Sequence, residues 1–201
     1  MTGVDAVVAA IRAGRLVVIP TDTVYGLACT PYREDPVRAL SEVKGRSAGQ
    51  PIALVSASVD TLLECVPELR GRAGVVARSL LPGPYTLVLP NPARRFPWLA
   101  GDRTEAIGVR VPDVAGAARE VLERVGTVAA TSANRHGGPD PRRLGDVPPE
   151  LLGEAVALDG GELPGVPSTV VDLTGTEPRV LREGAVPGSL VLARIAEVLG
   201  E

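Results

Sequence analysis

Apolar residues recur at helical spacing over residues 4–13, and Gly14 stands where such a helix would stop. Residues 16–19 form a short β-branched run that predicts a buried strand ending at Pro20. Asp35 and Pro36 have the character of an N-cap and a first helical residue. Val37, Leu40 and Val43 then draw an apolar face up to Lys44, and Gly45 closes it. Residues 51–56 predict a strand, Ser58 or Asp60 caps a short helix through Cys65, and residues 67–81 predict a helix closed by Pro82-Gly83-Pro84. Strands are predicted over 85–89, 107–111 and 127–131, with a helix from Asp113 to about residue 124 between the last two. Two stretches rich in Pro, Gly and Arg, 91–104 and 135–149, predict loops. After a short helix, strands over 155–158, 169–173 and 180–182 precede a closing helix over 189–199. Helices and strands interleave throughout, so the expected class is α/β with a mixed sheet. No repeat, linker or composition break divides residues 1–201, so one domain is expected.

Composition removes several classes. The 201 residues are 45% hydrophobic and carry a net charge of only −3, which suits a folded core rather than a disordered or nucleic-acid-coating chain. Two cysteines and one histidine cannot assemble a Cys/His zinc site or a disulfide scaffold, so a reducing, cytoplasmic setting is expected. Nucleophilic catalysis by a Ser-His or Cys-His pair would have to use His136, which lies in a Gly/Pro-rich stretch. The N-terminus lacks the basic start of a secretion signal, and no apolar run is long enough for a membrane span. Three Tyr, one Phe and one Trp are too few for a base-stacking RNA surface. Every one of the 21 basic residues is Arg except Lys44.

The candidate chemistry lies at strand ends. Pro20-Thr21-Asp22-Thr23-Val24-Tyr25-Gly26, Thr131-Ser132-Ala133-Asn134 and Pro167-Ser168-Thr169 each place small hydroxyl or amide side chains after an apolar run. Such clusters suit phosphate or carboxylate oxygens, and they also suit plain turns and caps. Lys44-Gly45-Arg46 puts two cations beside a glycine, and Arg110 and Arg182 sit in apolar strand contexts. A buried Arg needs a partner, either a protein carboxylate or an anionic ligand. Neither a Walker A nor a G-x-G-x-x-G pattern is present, which disfavours P-loop kinases and Rossmann dehydrogenases. These residues suit an enzyme or binder for a phosphorylated small molecule.

The run from Gly14 to Leu27 resembles the opening signature of the YrdC-like threonylcarbamoyl-AMP synthases. Further segments follow in family order: Lys44-Gly45-Arg46 with Pro51-Ile52, Leu81-Pro82-Gly83-Pro84-Tyr85-Thr86, Gly108-Val109-Arg110-Val111-Pro112, Thr131-Ser132-Ala133-Asn134, Pro167-Ser168-Thr169-Val170-Val171-Asp172, and Leu181-Arg182-Glu183-Gly184. The resemblance covers residues 4–187. It implies a twisted mixed sheet around a deep, positively charged cavity, in a single catalytic domain. The implied activity is a nucleotidyltransferase reaction. L-threonine, bicarbonate or CO2, and ATP give threonylcarbamoyl-AMP and pyrophosphate, with Mg2+ carried on the triphosphate and no protein metal site. A tRNA-modifying threonylcarbamoyl transferase would receive the product.

By resemblance, Lys44 and Arg46 are the catalytic cations, and ATP is held by them with Thr86, Ser132, Asn134, Arg182 and Arg142, the last in a loop that closes over the nucleotide. Thr23, Arg110 and Ser168 position threonine. Two positions depart from the family pattern: Ser47 stands where Pro is usual, and Gln50 where His or another polar residue precedes the Pro. Altered substrate contacts rather than lost activity are expected from them.

Other readings remain open at this point. Asp172 either meets Mg2+ through water or holds an Arg. Phe96 and Trp98 either cap the cavity or pin their loop. Arg94-Arg95 and Arg142-Arg143 are either solvated pairs or a weak tRNA-facing patch. The competing functions are a non-catalytic module of the same fold binding tRNA or double-stranded RNA, and a carbamoyl-phosphate-using domain.

Overall fold

The computed structural model describes residues 3–47, 49–69 and 71–200. The N-terminal helix α1 (Gly3–Arg12) leads into β1 (Leu16–Ile19), whose side chains are all buried. A hairpin follows to β2 (Gly26–Cys29), which the sequence pattern misses. Gly-Leu-Ala-Cys has no β-branched residue. It is a strand because β1 and β6 (Thr127–Ser132) hydrogen-bond to its two edges, so tertiary context overrides local preference.

Helix α2 (Glu34–Lys44) begins two residues earlier than expected: Arg33 is its N-cap, and Pro36 lies inside the first turn. Its end matters more. Gly45 takes φ 69° and ψ 36°, and the N–H groups of Gly45 and Arg46 return to the carbonyls of Glu42 and Ser41. This left-handed cap reverses the chain immediately after Lys44, so Lys44 and Arg46 leave the helix in different directions. Next come β3 (Ala53–Ser56), then α3 (Val59–Cys65), capped by Ser58 accepting from the Thr61 N–H, and α4 (Arg72–Leu80). The α4 helix is shorter than the predicted 67–81, and Arg70 lies outside the described residues.

Strands β4 (Tyr85–Pro90) and β5 (Ala106–Arg110) flank the first long loop. That loop is pinned: Trp98 Nε1 donates to the Pro31 carbonyl at 2.8 Å, and the Phe96 ring meets Tyr32 with centroids 5.9 Å apart. Helix α5 (Gly116–Val125), β6, α6 (Pro149–Glu154), β7 (Ala155–Ala157), β8 (Thr169–Asp172), β9 (Arg179–Arg182) and α7 (Gly188–Leu199) complete the chain.

The described strands form one sheet of nine, in the order β7-β1-β2-β6-β3-β5-β4-β8-β9. Pairs β1–β7, β3–β5 and β4–β8 are parallel and the others antiparallel, the mixed sheet that the element order predicts. Alternation sorts the strand residues onto two faces. Val18, Leu27, Leu54, Leu87, Leu89, Ile107, Val109 and Val171 share one core with Leu40 of α2, Ala77 of α4 and Ile195 of α7. Each such aliphatic side chain adds roughly 2 kcal/mol by burial. Val17, Ile19, Val55, Val128 and Ala130 face the other way, against α1 and α5. Beyond those helices, the same face of β3, β5, β4 and β8 carries small and polar residues. A cavity lies over it.

Candidate functional site

The cavity has a volume of about 380 Å³, within the range of small-molecule sites. Its floor is made of small side chains that alternate with the core leucines and valines: Gly26, Ala53, Gly108 and Ala130, with Val88 and Val170 beside them. Four arginines, Arg46, Arg103, Arg110 and Arg182, stand in its walls. Among the described residues no Asp or Glu lines it. Gly108 keeps the floor low: a β-carbon there would make ordinary contacts with Ala53 and Thr86, so a longer side chain would rise into the cavity. Gly108→Leu is expected to fold normally, with thermal unfolding close to the parent, and to lose ligand binding by more than about tenfold in calorimetric titration.

Each arginine is held so that part of its fork stays free. Arg110 is 9% exposed. Its Nη2 donates to Asp22, and to Thr23 Oγ1 at 2.7 Å. Asp22 also accepts from the Asp113 N–H at 3.0 Å. The buried Nε–H of Arg110 has no partner, an unusual state for a guanidinium nitrogen. Arg182 donates through Nη2 to the Ser168 carbonyl at 2.7 Å and to Ser168 Oγ at 3.2 Å. Burial lowers its pKa, with Asp140 opposing and Arg110 adding to the effect. Ser168 Oγ in turn lies 2.8 Å from Thr86 Oγ1. Arg46 is fixed on three sides: Nε donates to Gln50 Oε1 at 3.0 Å, Nη1 to Thr131 Oγ1 at 2.9 Å and Nη2 to the Pro51 carbonyl at 2.7 Å. Burial lowers its pKa too.

Lys44 is not in the cavity lining. It is 5% exposed and lies behind the wall. Its ammonium donates to the Ser132 carbonyl, to the Asn134 carbonyl at 2.9 Å and to Asn134 Oδ1 at 2.6 Å. Asn134 Oδ1 also accepts from Ser132 Oγ at 2.7 Å, and Asn134 Nδ2 donates to the Gly138 carbonyl. Lys44 therefore fixes the turn that presents Ser132 to the cavity. Burial, then Arg46, bring its pKa down to about 8, with Asp140 opposing.

Of the residues singled out from sequence, Arg46, Thr86, Arg110, Ser132, Ser168 and Arg182 meet in the cavity wall. Lys44, Asn134 and Thr23 stand behind it, each bonded to a member of the wall. Arg142 stands apart: its Nη2 donates to Glu162 at 2.9 Å and its Nε to the Leu163 carbonyl. Sequence reasoning missed Arg103, Thr21 and Thr131 as lining residues. Arg103 Nη1 donates to Asp172 Oδ2 at 2.8 Å and Nη2 to Thr174 Oγ1, which assigns Asp172 to holding an Arg. Nothing in the loop sequence distinguishes Arg103 from its neighbouring arginines. Thr21 sits inside a segment already marked as chemical, and its hydroxyl closes the hairpin by bonding the Val24 carbonyl at 2.7 Å. Among the described residues no three His, Cys, Asp or Glu side chains converge as a metal site.

The sequence profile of the Sua5/YciO/YrdC family, described as "Telomere recombination", matches residues 9–184. The chain belongs to this family. A threonylcarbamoyl-AMP synthase of Pyrococcus abyssi is 38% identical over 195 residues, covering 95% of this chain and 55% of the relative. One from Chromohalobacter salexigens is 33% identical over 172 residues, covering 85% of this chain and 92% of the relative. The solved structure of P. abyssi Sua5 complexed with L-threonine superposes with a TM-score of 0.86 at 36% identity, over 98% of this chain and 57% of that one. The chain thus spans little more than half the length of the P. abyssi relative and nearly all of the other. In this Sua5/YciO/YrdC chain most of the arginine-walled cavity is built from the segments that carry the family resemblance, namely β2 with its hairpin, the loop after α2, and the ends of β4, β5, β6, β8 and β9, and the loop before β5 adds Arg103.

Proposed function

We propose that this chain is an L-threonylcarbamoyladenylate synthase, a nucleotidyltransferase that makes threonylcarbamoyl-AMP and pyrophosphate from L-threonine, bicarbonate or CO2, and ATP. The observation that carries the reading is Arg110. It is a buried guanidinium in the cavity wall, held through Nη2 by Asp22 and Thr23, and the described lining has cations and hydroxyls but no carboxylate. That donor set fits the two oxygens of an amino-acid carboxylate, with Ser168 in the same wall and Thr23 bracing Arg110 from behind. The L-threonine complex of P. abyssi Sua5 supports the choice of amino acid.

The reaction needs no protein nucleophile. The threonine amine adds to CO2 and gives up a proton to solvent, leaving a carbamate, and a carbamate oxygen attacks the α-phosphorus. The bond from that phosphorus to the β-phosphate oxygen breaks, and pyrophosphate leaves with the electron pair. The protein must align two anions and neutralise charge that grows on the phosphates. Arg46 and Arg182 face the cavity and would grip the phosphates, with Thr86 and Ser132 as hydroxyl donors. Lys44 and Asn134 would set the Ser132 turn and add positive potential from behind the wall. Magnesium would arrive with ATP as part of the substrate. Arg142 would reach the nucleotide only on breaking its pair with Glu162. The product would pass to a tRNA-modifying threonylcarbamoyl transferase.

The RNA-binding alternative finds little support on the surface. Arg94 pairs with Glu105, Arg95 with Glu68, and Arg142 and Arg143 share Glu162, so three carboxylates already offset most of the charge on these four arginines. Among the described residues no helix is long and apolar enough to cross a membrane.

The test is incubation with ATP, Mg2+, L-threonine and labelled bicarbonate. Pyrophosphate release and a labelled adenylate, each dependent on threonine and bicarbonate, are expected. ATP binding without release would favour the RNA-binding module. A pH dependence also follows. Lys44 has its pKa lowered to about 8, so it loses its charge, and its positive contribution to the site, as pH rises through that value. Turnover should fall on the alkaline side about there, well below the range of an ordinary lysine.

A further inference from the structure

Arg46 is a donor at every nitrogen, so the atom of Gln50 that meets its Nε at 3.0 Å must be the amide oxygen. The Gln50 NH2 then points away from Arg46, and its nitrogen lies 3.3 Å from Nε2 of His136. The contact is exposed to solvent, and among the described protein groups the acceptor that faces this NH2 is the imidazole. His136 accepts there only when it is neutral, with its proton on Nδ1. The chain Arg46–Gln50–His136 is complete in one protonation state. With a second proton on the imidazole, donor faces donor. Turning the amide over does not help, because it puts the NH2 against the Arg46 Nε–H.

We propose that Gln50 and His136 are positioning residues for Arg46, so that the grip of this arginine on its anionic ligand weakens when His136 gains a proton. The inference rests on the reading that Arg46 holds the phosphates of ATP. Both residues lie outside the cavity lining and act through Arg46. The charged groups around the imidazole come from three elements. Lys44 of α2 accepts from the His136 backbone N–H through its own carbonyl at 3.3 Å, and its ammonium is turned to Asn134. Arg135 is paired with Glu150 of α6. Asp140, in the same loop as His136, lies 3.4 Å from Asn134 Nδ2. None of these carboxylates is bonded to the imidazole, and the Gln50 amide is its one side-chain partner among the described contacts.

His136 is the only histidine of the chain, so its ring-proton NMR signals report its charge without ambiguity. By reciprocity, a ligand that needs Arg46 in place must favour the neutral ring. At about pH 6, adding Mg-ATP to the full chain should move the His136 signals toward the neutral form, although the phosphates by plain attraction would draw them toward the charged one. Kinetics give the second reading. Between about pH 7 and about pH 5.5 the KM for ATP should rise about fivefold more in the parent than in His136→Gln, which offers an acceptor at every pH. Gln50→Ala should raise this KM at both pH values and erase the difference that His136→Gln makes. Movement toward the charged form, or parallel pH profiles in parent and His136→Gln, overturns the proposal. Failure of ATP to bind the parent, seen as no change in any signal, overturns the functional reading and this inference together.

Discussion

Replacing Arg110 by Lys should raise the KM for threonine by about 100-fold while the protein still folds. The charge beside Asp22 is kept, so the buried carboxylate is not stranded. What is lost is the planar fork. In the parent, Nη2 is held by Asp22 and Thr23, which fixes the direction in which the rest of the fork meets the cavity. A lysine ammonium placed at Asp22 would have no second donor in a fixed direction toward the cavity. Truncating one partner of a buried, hydrogen-bonded charge pair typically costs about 2–5 kcal/mol, and about 3 kcal/mol corresponds to the expected factor. Steady-state kinetics with threonine varied at saturating ATP checks it. An unchanged KM would remove Arg110 from the amino-acid site.

Lys44→Met should be the most damaging single change in stability as well as turnover. Methionine fills much the same space, so the effect isolates the ammonium. Without it the Ser132 and Asn134 carbonyls lose their donor, and Asn134 Oδ1 keeps only Ser132 Oγ. Leaving such acceptors buried and unmet should lower the unfolding free energy by about 3 kcal/mol, read from urea denaturation. Turnover of the folded fraction should fall by more than about 100-fold, because the turn that presents Ser132 is released and a positive charge behind the phosphates is gone. A variant that unfolds early but turns over normally when folded would make Lys44 purely structural.

Much of this site could be read from the chain before its structure. Lys44 stood out as the only lysine among arginines, and its surroundings explain the choice. Several oxygens gather around one point, an arrangement that a compact ammonium meets better than a planar guanidinium does. Arg110 and Arg182 stood out because they are charged residues in apolar strands, and both face the cavity. The depth of each residue was not legible. Whether Lys44 lines the cavity or braces it depends on how α2 meets the end of β6, a distance that local spacing does not encode. Arg103 was missed because its role is set by Asp172 at the end of β8 and Thr174 just beyond it, far along the chain. Strand β2 was missed because both of its partners, not its own residues, make it a strand. Gln50 was noticed as a departure, but its meaning needed Arg46 and His136 on either side.

The contacts that build the site join distant positions. Arg110 meets Asp22 across 88 residues, Lys44 meets Asn134 across 90, Arg46 meets Thr131 across 85 and Thr86 meets Ser168 across 82. Each tie closes a long loop, and that entropy must be met before any of them rewards the chain. No hairpin or helix pair taken alone contains a working part of the cavity, so a half-folded molecule has no half-strength site. An anion lodged among these arginines braces the two ends of the sequence against each other, and its binding is a vote for the whole native chain rather than for one loop.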